Sequence, residues 1–474
     1  MDSTRKKILM VIHCFLPECV GGTEFYTYNL SRELKARGFD VCILTAFDDG
    51  KAGRYELQKT EFEELKVIRV MNSPYLAKTF LDYFIDPNID SIFRRILSEE
   101  KPDIIHFQHI PYLSGNLPEI AHQMGVPGVF TLHDYWYMCY RSQLIRPGLG
   151  TCPGPSGGLF CASCLDAAPN GAAPDFRLPL LQRVLEWPMV RKLNLKDKIP
   201  PDMKAKLKKL LLRQTPSVTH ETIQNPYIVT ILENKYRLDF FKRQLVFPDF
   251  VLSPSVHLKR RYESEGFREI VHLPLGFYRV KKVEILPFAG KLRIAYLGNL
   301  MPFKGPDVIL RELSGLEGEK QKMLELNFHG RMNDKEYFKS IEELADRFPQ
   351  GVVTFHGGYR SDTDLHGIFS HNHLVIFPSL WEENYPLVVR EALLHGVPVI
   401  GSKLGGVPEA IEEGINGFVF DPYKEGDLRE KISVILGNPG MIETLTRGAR
   451  DTRIESMEDH VEKMLGIYVK LISS

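Results

Sequence analysis

The sequence predicts an α/β protein of two Rossmann-like domains that face a cleft, with a helical insertion in the first. Three observations predict it. Short apolar runs such as KILMVIHCF, Lys7 to Phe15, alternate with segments of helical period. Gly-rich turns separate the two kinds of segment. The chain has 474 residues, enough for two or three domains at about 100–200 residues each.

Taken in order, KILMVIHCF reads as a strand buried on both faces. The turn-rich LPECVGGTE follows, then FYTYNLSRELKARGFD, where Phe25, Leu30 and Leu34 recur at helical spacing and Gly38 is a stop. VCILTAF completes a β-α-β unit, whose crossover implies a parallel sheet. PDIIHFQH, a helix near Leu117 to Met124, and GVPGVFTLHD repeat the pattern. Residues 139–170, rich in Gly, Pro and Cys, read as an ordered loop insertion, and residues 186–245 as a helical one. VFPDFVLSPS and IVHLPLGF restore strands. A second series follows: KLRIAYLGNL, KMLELNFHG, GVVTFHG, HLVIFPS, GVPVIGS and NGFVF. The expected domains are 1–275, 276–450, and a last amphipathic helix over 451–474.

Composition excludes several classes. Hydrophobic residues make up 43% and charged residues 25%, a globular balance that leaves no room for a disordered or fibrous chain. Lys plus Arg and Asp plus Glu number 60 each, so the zero net charge lacks the footprint of a nucleic-acid binder. No run of 18 uncharged apolar residues marks a transmembrane helix. No small-residue cleavage site follows the first apolar run, so no signal peptide is expected. Seven Cys, an odd number, speak against a disulfide framework and for a reducing, cytoplasmic setting.

The most informative segment is PSLWEENYPLVVREALLHGVPVIGSKLGGVPE, Pro378 to Glu409. Pro386 suits the first turn of a helix that Gly396 stops. Such a helix tip, with unpaired N–H groups and a positive dipole end, is a seat for a diphosphate. Glu383 in the preceding loop would then accept from sugar hydroxyls, and Glu391 from ribose hydroxyls; a solvated acidic helix start is the bland alternative. Gly405-Gly406 makes a side-chain-free loop that lets a backbone approach a ligand.

This segment resembles the C-terminal half of glycosyltransferase family 4, the retaining glycosyl transferases of group 1. The family pattern stands here as Pro378-Ser379, Glu383, Tyr385-Pro386-Leu387, Glu391-Ala392, Gly396, Pro398-Val399, Ser402, Gly405-Gly406, Glu409 and Asn416-Gly417. Gly298-Asn299-Leu300-Met301-Pro302-Phe303-Lys304-Gly305 is similar to the family's phosphate-gripping segment. The resemblance implies the GT-B fold, a nucleotide-sugar donor in the second domain, an acceptor in the first, and retention at the anomeric carbon. Lys304 would place a cation on the leaving diphosphate. The implied donor contacts are Gly21, Gly22, Asn299, Lys304, Glu383, Asn384, Tyr385, Leu387 and Glu391; the implied catalytic groups are His133, Lys304 and Glu383. His133 in TLHDYW matches the family's HD segment, with Asp134 as the group expected to orient it. Two departures stand out. Asn299 occupies a position where many members have Arg, with Arg331 a weak substitute, and Pro386 replaces the more frequent Gly and removes one N–H donor.

Asp362-Thr363-Asp364 matches the metal-binding triplet of the other large glycosyltransferase class, but it lies far in sequence from the donor segment and reads as chance. No cofactor is therefore expected for catalysis. Cys139, Cys152, Cys161 and Cys164 include one CxxC and suit a structural zinc, with free thiols as the other main reading. Residues 191–213 carry nine Lys or Arg against two Asp, with Met203, Leu207, Leu210 and Leu211 on one helical face. That helix either rests on an anionic membrane at the inner face, where a lipid-linked acceptor would lie, or is a solvated helix packed on its domain. Expected partners are a nucleotide-sugar and a glycan or lipid-linked acceptor, in polysaccharide or cell-envelope glycan synthesis. The competing functions are a sugar-nucleotide epimerase on the same fold and a non-catalytic nucleotide-sugar-binding scaffold.

Overall fold

A computed structural model describes residues 6–48, 53–73, 77, 79–146, 148, 150–166, 226–359 and 362–473. The first domain holds an eight-stranded sheet in the order β3-β4-β2-β1-β5-β6-β7-β8. Its strands are β1 (Lys7–Ile12), β2 (Asp40–Phe47), β3 (Leu57–Phe62), β4 (Leu65–Met71), β5 (Ile104–His109), β6 (Gly128–Thr131), β7 (Phe250–Ser253) and β8 (Val271–His272). Every pairing is parallel except β3 with β4. That hairpin turns on Glu63 and Glu64, both at positive φ, where Asn-Gly would be the usual signal. The helices are α1 (Gly22–Ala36), α2 (Pro87–Glu100), α3 (Leu117–Gln123), α4 (Leu159–Asp166), α5 (Pro226–Gln244) and α6 (Val256–Ser264). Asp86 caps α2 by accepting from the Asn88 and Ile89 amides, with Pro87 at the first turn.

The second domain holds a fully parallel six-stranded sheet, β11-β10-β9-β12-β13-β14. Its strands are β9 (Leu292–Leu297), β10 (Leu324–His329), β11 (Val353–Gly357), β12 (Leu374–Phe377), β13 (Val399–Ser402) and β14 (Gly417–Phe420). Around it lie α7 (Pro306–Ser314), α8 (Gly318–Lys322), α9 (Lys335–Ala345), α10 (Asp362–His371), α11 (Leu387–Leu394), α12 (Asp427–Gly437) and α13 (Gly440–Asp451). Each of the six strands expected from the second apolar series is present.

The chain crosses between domains twice, side by side: the Phe277 amide donates to the Glu455 carbonyl at 2.9 Å, and the Met457 amide to the Phe277 carbonyl at 2.8 Å. Gly276 is required there, because a Cβ would fall 2.6 Å from the Met457 Cα. The last helix, α14 (Met457–Ser473), then packs on the first domain, burying Met457, Val461, Met464 and Tyr468 with the β1 core. Its polar groups are paired inward: the Tyr468 hydroxyl lies 2.6 Å from His106 Nδ1, and the Tyr26 hydroxyl 2.8 Å from His460 Nε2.

Several expectations need correction. The first strand stops at Ile12, and β3, β4 and α2 were not foreseen. The expectation against disulfides fails at Cys14 and Cys19, which are bonded; the Cys19 amide folds back onto the Phe15 carbonyl and sets their Cα atoms 5.9 Å apart, within disulfide reach. Pro386 flanks α11 as its N-cap, one position ahead of the first turn. The basic stretch 191–213, and most of the insertion over 186–245, lie outside the described residues. Among the described residues no helix is long and apolar enough to cross a membrane.

Tyr468→Phe removes the Nδ1 partner of the fully buried His106 imidazole, whose Nε2 keeps the Thr131 hydroxyl, at a cost of about 1–3 kcal/mol. A lowered thermal unfolding midpoint is expected; an unchanged midpoint contradicts the docking of α14 on β5.

Candidate active site

In an open parallel sheet, ligands bind beyond the carboxyl ends of the strands, where the strand order reverses. The second sheet reverses between β9 and β12. Lys304 lies in the 3-10 turn Pro302–Lys304 beyond β9, and Glu383 in the loop beyond β12. Their side chains meet there, Lys304 Nζ to Glu383 Oε1 at 2.5 Å, with the Ser379 hydroxyl 3.3 Å from the same oxygen. Glu383 is buried and Lys304 is partly exposed. An ammonium has three N–H donors, so this contact leaves it others to offer.

Glycines make the meeting possible. Gly305 takes φ +68, and a Cβ there would land on the Pro378 carbonyl oxygen. The Leu380 amide donates to the Phe303 carbonyl at 2.9 Å, stitching the two loops. Gly405 and Gly406 were expected to let a backbone approach a ligand; instead they press on the Glu382 to Asn384 backbone, and the Gly406 amide donates to the Glu383 carbonyl at 2.7 Å. They hold the loop that carries Glu383.

The other expected donor residues are placed unequally. Glu391 is half-buried on α11, close enough to Tyr359 for its charge to raise that phenol's pKa further, burial being the main cause. Gly22 sits against the Leu387 side chain, so the starts of α1 and α11 abut across the cleft. Gly21 is the N-cap residue of α1. Asn299 is exposed, and its carbonyl accepts from the Tyr296 hydroxyl at 2.9 Å. Arg331 is exposed beside that loop, its carbonyl accepting from the Leu300 amide at 3.0 Å. Tyr385 spends its hydroxyl on the Leu275 carbonyl at 3.3 Å and its ring face on Arg390.

Asn384 proves to be a clasp between domains. It accepts from the Ser255 hydroxyl at 2.7 Å and donates to the His133 carbonyl at 2.9 Å and the Leu132 carbonyl at 3.4 Å. Glu409 does similar work: its carboxylate caps α6 of the other domain, accepting from the Val256 and His257 amides at 3.1 and 2.6 Å. Neither role has a signal in local sequence.

The first sheet reverses between β1 and β5, and polar residues gather at the carboxyl ends of β1, β5 and the neighbouring β6: His13, Gln108, His109, His133 and Asp134, with Glu24 from α1. His133 Nε2 lies 2.9 Å from Gln108 Oε1. Burial, helped by the nearby His109 and opposed by Asp134, lowers the His133 pKa to about 3, so the ring is neutral near pH 7. The expectation that Asp134 orients His133 is corrected: Gln108 does so, while Asp134 accepts from the Trp136 amide at 2.8 Å and faces His109 at 3.3 Å.

Cys139, Cys152, Cys161 and Cys164 line a single cavity with Met138, Phe160 and their neighbours. Burial pushes the Cys164 thiol up to about 11, with Cys139 and Cys152 adding to the shift. As placed, no three His, Cys, Asp or Glu among the described residues can hold one ion. The four sulfurs share a cavity without forming the expected zinc cage among the described residues. Asp362 begins α10, away from the Lys304 loop in sequence.

Two lobes with reversal points facing one cleft define a GT-B architecture, and the comparisons agree. Sucrose-phosphate synthase from Thermosynechococcus elongatus superimposes with a TM-score of 0.63 at 16% identity, covering 99% of this chain and 100% of that one. Anabaena HepE in complex with UDP and glucose gives 0.60 at 15% identity, covering 98% of this chain and 100% of that one. The family model of the glycosyl transferases group 1 matches residues 279–452, and that of Glycosyltransferase Family 4 matches residues 20–151. The chain belongs to the family 4, group 1 glycosyltransferases. Among curated relatives, D-inositol 3-phosphate glycosyltransferase of Saccharomonospora viridis is 28% identical over 43% of this chain and 46% of its own length. Spore coat protein SA of Bacillus subtilis is 26% identical over 46% of this chain and 56% of its own length. The matches thus span about half the length of these relatives.

Asn384→Ala deletes three hydrogen bonds across the domain boundary, each of about 0.5–1.5 kcal/mol. A larger radius of gyration by small-angle X-ray scattering is expected; an unchanged radius contradicts the clasp.

Proposed function

We propose that this protein transfers a sugar from a nucleoside-diphosphate sugar to a hydroxyl of a glycan or lipid-linked acceptor, with retention at the anomeric carbon. The observation that carries the reading is the meeting of Lys304 and Glu383 at the β9/β12 reversal point. A diphosphate placed there receives N–H donation from Lys304, whose charge counters the charge that develops as the leaving group departs. Glu383, fixed by Lys304 and Ser379, turns its carboxylate toward the sugar hydroxyls. Glu391, further along α11, accepts from the ribose. The acceptor enters from the first domain, where neutral His133 faces the cleft beside the Asn384 clasp.

Among the described residues no carboxylate is singled out as a covalent nucleophile, and same-face departure and attack within an ion pair is the mechanism we favour. Closure of the two domains excludes water from that ion pair. The UDP and glucose bound by Anabaena HepE support a nucleotide-sugar as the donor class. Placement at a cytoplasmic membrane face, and a role in polysaccharide or envelope glycan synthesis, belong to this proposal as well.

A thermal-shift screen against UDP-, GDP- and ADP-sugars is expected to raise the unfolding midpoint with one base class. With that donor, Glu383→Gln is expected to lower transfer at least 100-fold, read as released nucleoside diphosphate. Stabilisation by none of the donors, or full turnover by Glu383→Gln, contradicts the proposal. Epimer formed from donor alone, without release of nucleoside diphosphate, favours the epimerase instead.

A further inference from the structure

Four side chains from four segments form a continuous polar row at the reversal point of the first sheet. Glu24 Oε1 lies 3.4 Å from His13 Nε2, His13 Nδ1 lies 3.1 Å from His109 Nδ1, and His109 Nε2 lies 3.3 Å from Asp134 Oδ1. Glu24 and His109 are buried, and Asp134 is the most exposed of the four, its side chain 22% accessible. The row has three gaps to bridge. Two neutral imidazoles bring only two N–H groups. If the His109 Nδ1–H donates to His13 and the His13 Nε2–H donates to Glu24, the gap between His109 Nε2 and Asp134 has no proton. That nitrogen is indeed a buried polar atom without a hydrogen-bond partner.

We propose that this row is a proton acceptor for the transfer reaction, filled at Asp134 and emptied into Glu24. The inference rests on the transferase reading above. As the acceptor oxygen bonds to the anomeric carbon, its O–H bond breaks, while the anomeric bond to the diphosphate breaks and its electron pair leaves with the diphosphate. The acceptor's proton passes to Asp134, which gives a proton to His109 Nε2. The His109 Nδ1 proton moves to His13 Nδ1, and the His13 Nε2 proton moves to Glu24. Both rings end neutral with exchanged tautomers, and one carboxyl has gained a proton.

The placement suits the task. Asp134 is one residue from the His133 carbonyl that Asn384 clasps, so the entry end adjoins the donor loop. Glu24 lies in the first turn of α1 and is buried, and burial raises its pKa toward readiness for a proton. His133, Tyr112 and Tyr137 are the other titratable rings facing the row. His13 itself is held well below the usual imidazole range by burial and by the two neighbouring histidines, which keeps the positive charge from resting on it.

The test is nitrogen-15 NMR of the histidine-labelled full chain, paired with kinetics. A scalar coupling across the Nδ1–H···Nδ1 bond is expected between His13 and His109. Glu24→Gln keeps the shape but cannot take the proton. It is expected to change that coupling, lower kcat at least tenfold, leave the nucleotide-sugar KM within twofold, and abolish the solvent isotope effect on transfer. Asp134→Asn, the second variant, is expected to lower kcat in the same way. Absence of that coupling, or a Glu24→Gln protein with wild-type kcat and isotope effect, overturns the proposal. Absence of turnover with every nucleotide-sugar defeats the transferase reading, whereas the coupling between the two rings is read without substrate.

Discussion

The contact between Lys304 and Glu383 is the constraint on which the rest of the site depends. It joins the loops beyond two adjacent parallel strands, β9 and β12, whose helices leave in opposite directions along the sheet. Loops diverge at such a point and open a crevice, so charges that meet there are set by the topology. Separating them is costly, because a buried carboxylate stripped of its cation forfeits about 3 kcal/mol or more. The surrounding glycines exist for this contact: Gly305, Gly405 and Gly406 each admit a backbone where a Cβ would collide.

The same loop also binds the two lobes together. Residues 383 and 384 are neighbours, yet one turns into the second domain's crevice and the other clasps the first domain through Ser255, Leu132 and His133. Glu409 caps a helix of the opposite lobe, and α14 returns to bury its apolar face beside β1. Any movement of the lobes is therefore felt at the loop that carries Glu383, and the polar row from Asp134 to Glu24 begins one residue from the clasp. Closure, donor grip and proton handling share one hinge of structure in this reading.

Much of this was legible in the sequence because parallel strands buried on both faces are written as unbroken apolar runs. The central strands β9, β12 and β13 of the second sheet announced themselves that way, whereas β11, VTFHG, is an edge strand with no fully buried position. The edge hairpin did not: β3, LQKTEF, is largely exposed and polar, and its turn uses Glu63-Glu64 where Asn-Gly would have flagged it. Lys304 and Glu383 were readable because each sits in a dense local motif. Asn384 and Glu409 were in the same motif, but their partners lie more than 100 residues away, so their roles could not be read from spacing. His109 was invisible for a similar reason: within HFQH it is one more strand residue, and only the fold sets it between His13 and Asp134. The four cysteines show the converse, since their spacing implied a metal cage while the fold gives a shared cavity without one.

The most direct test of the central claim is a crystal structure of the protein with a bound nucleoside diphosphate. The diphosphate is expected within hydrogen-bonding distance of Lys304 Nζ, between the β9 and β12 loops and ahead of α11. A diphosphate bound elsewhere, with Lys304 still paired only to Glu383, contradicts it.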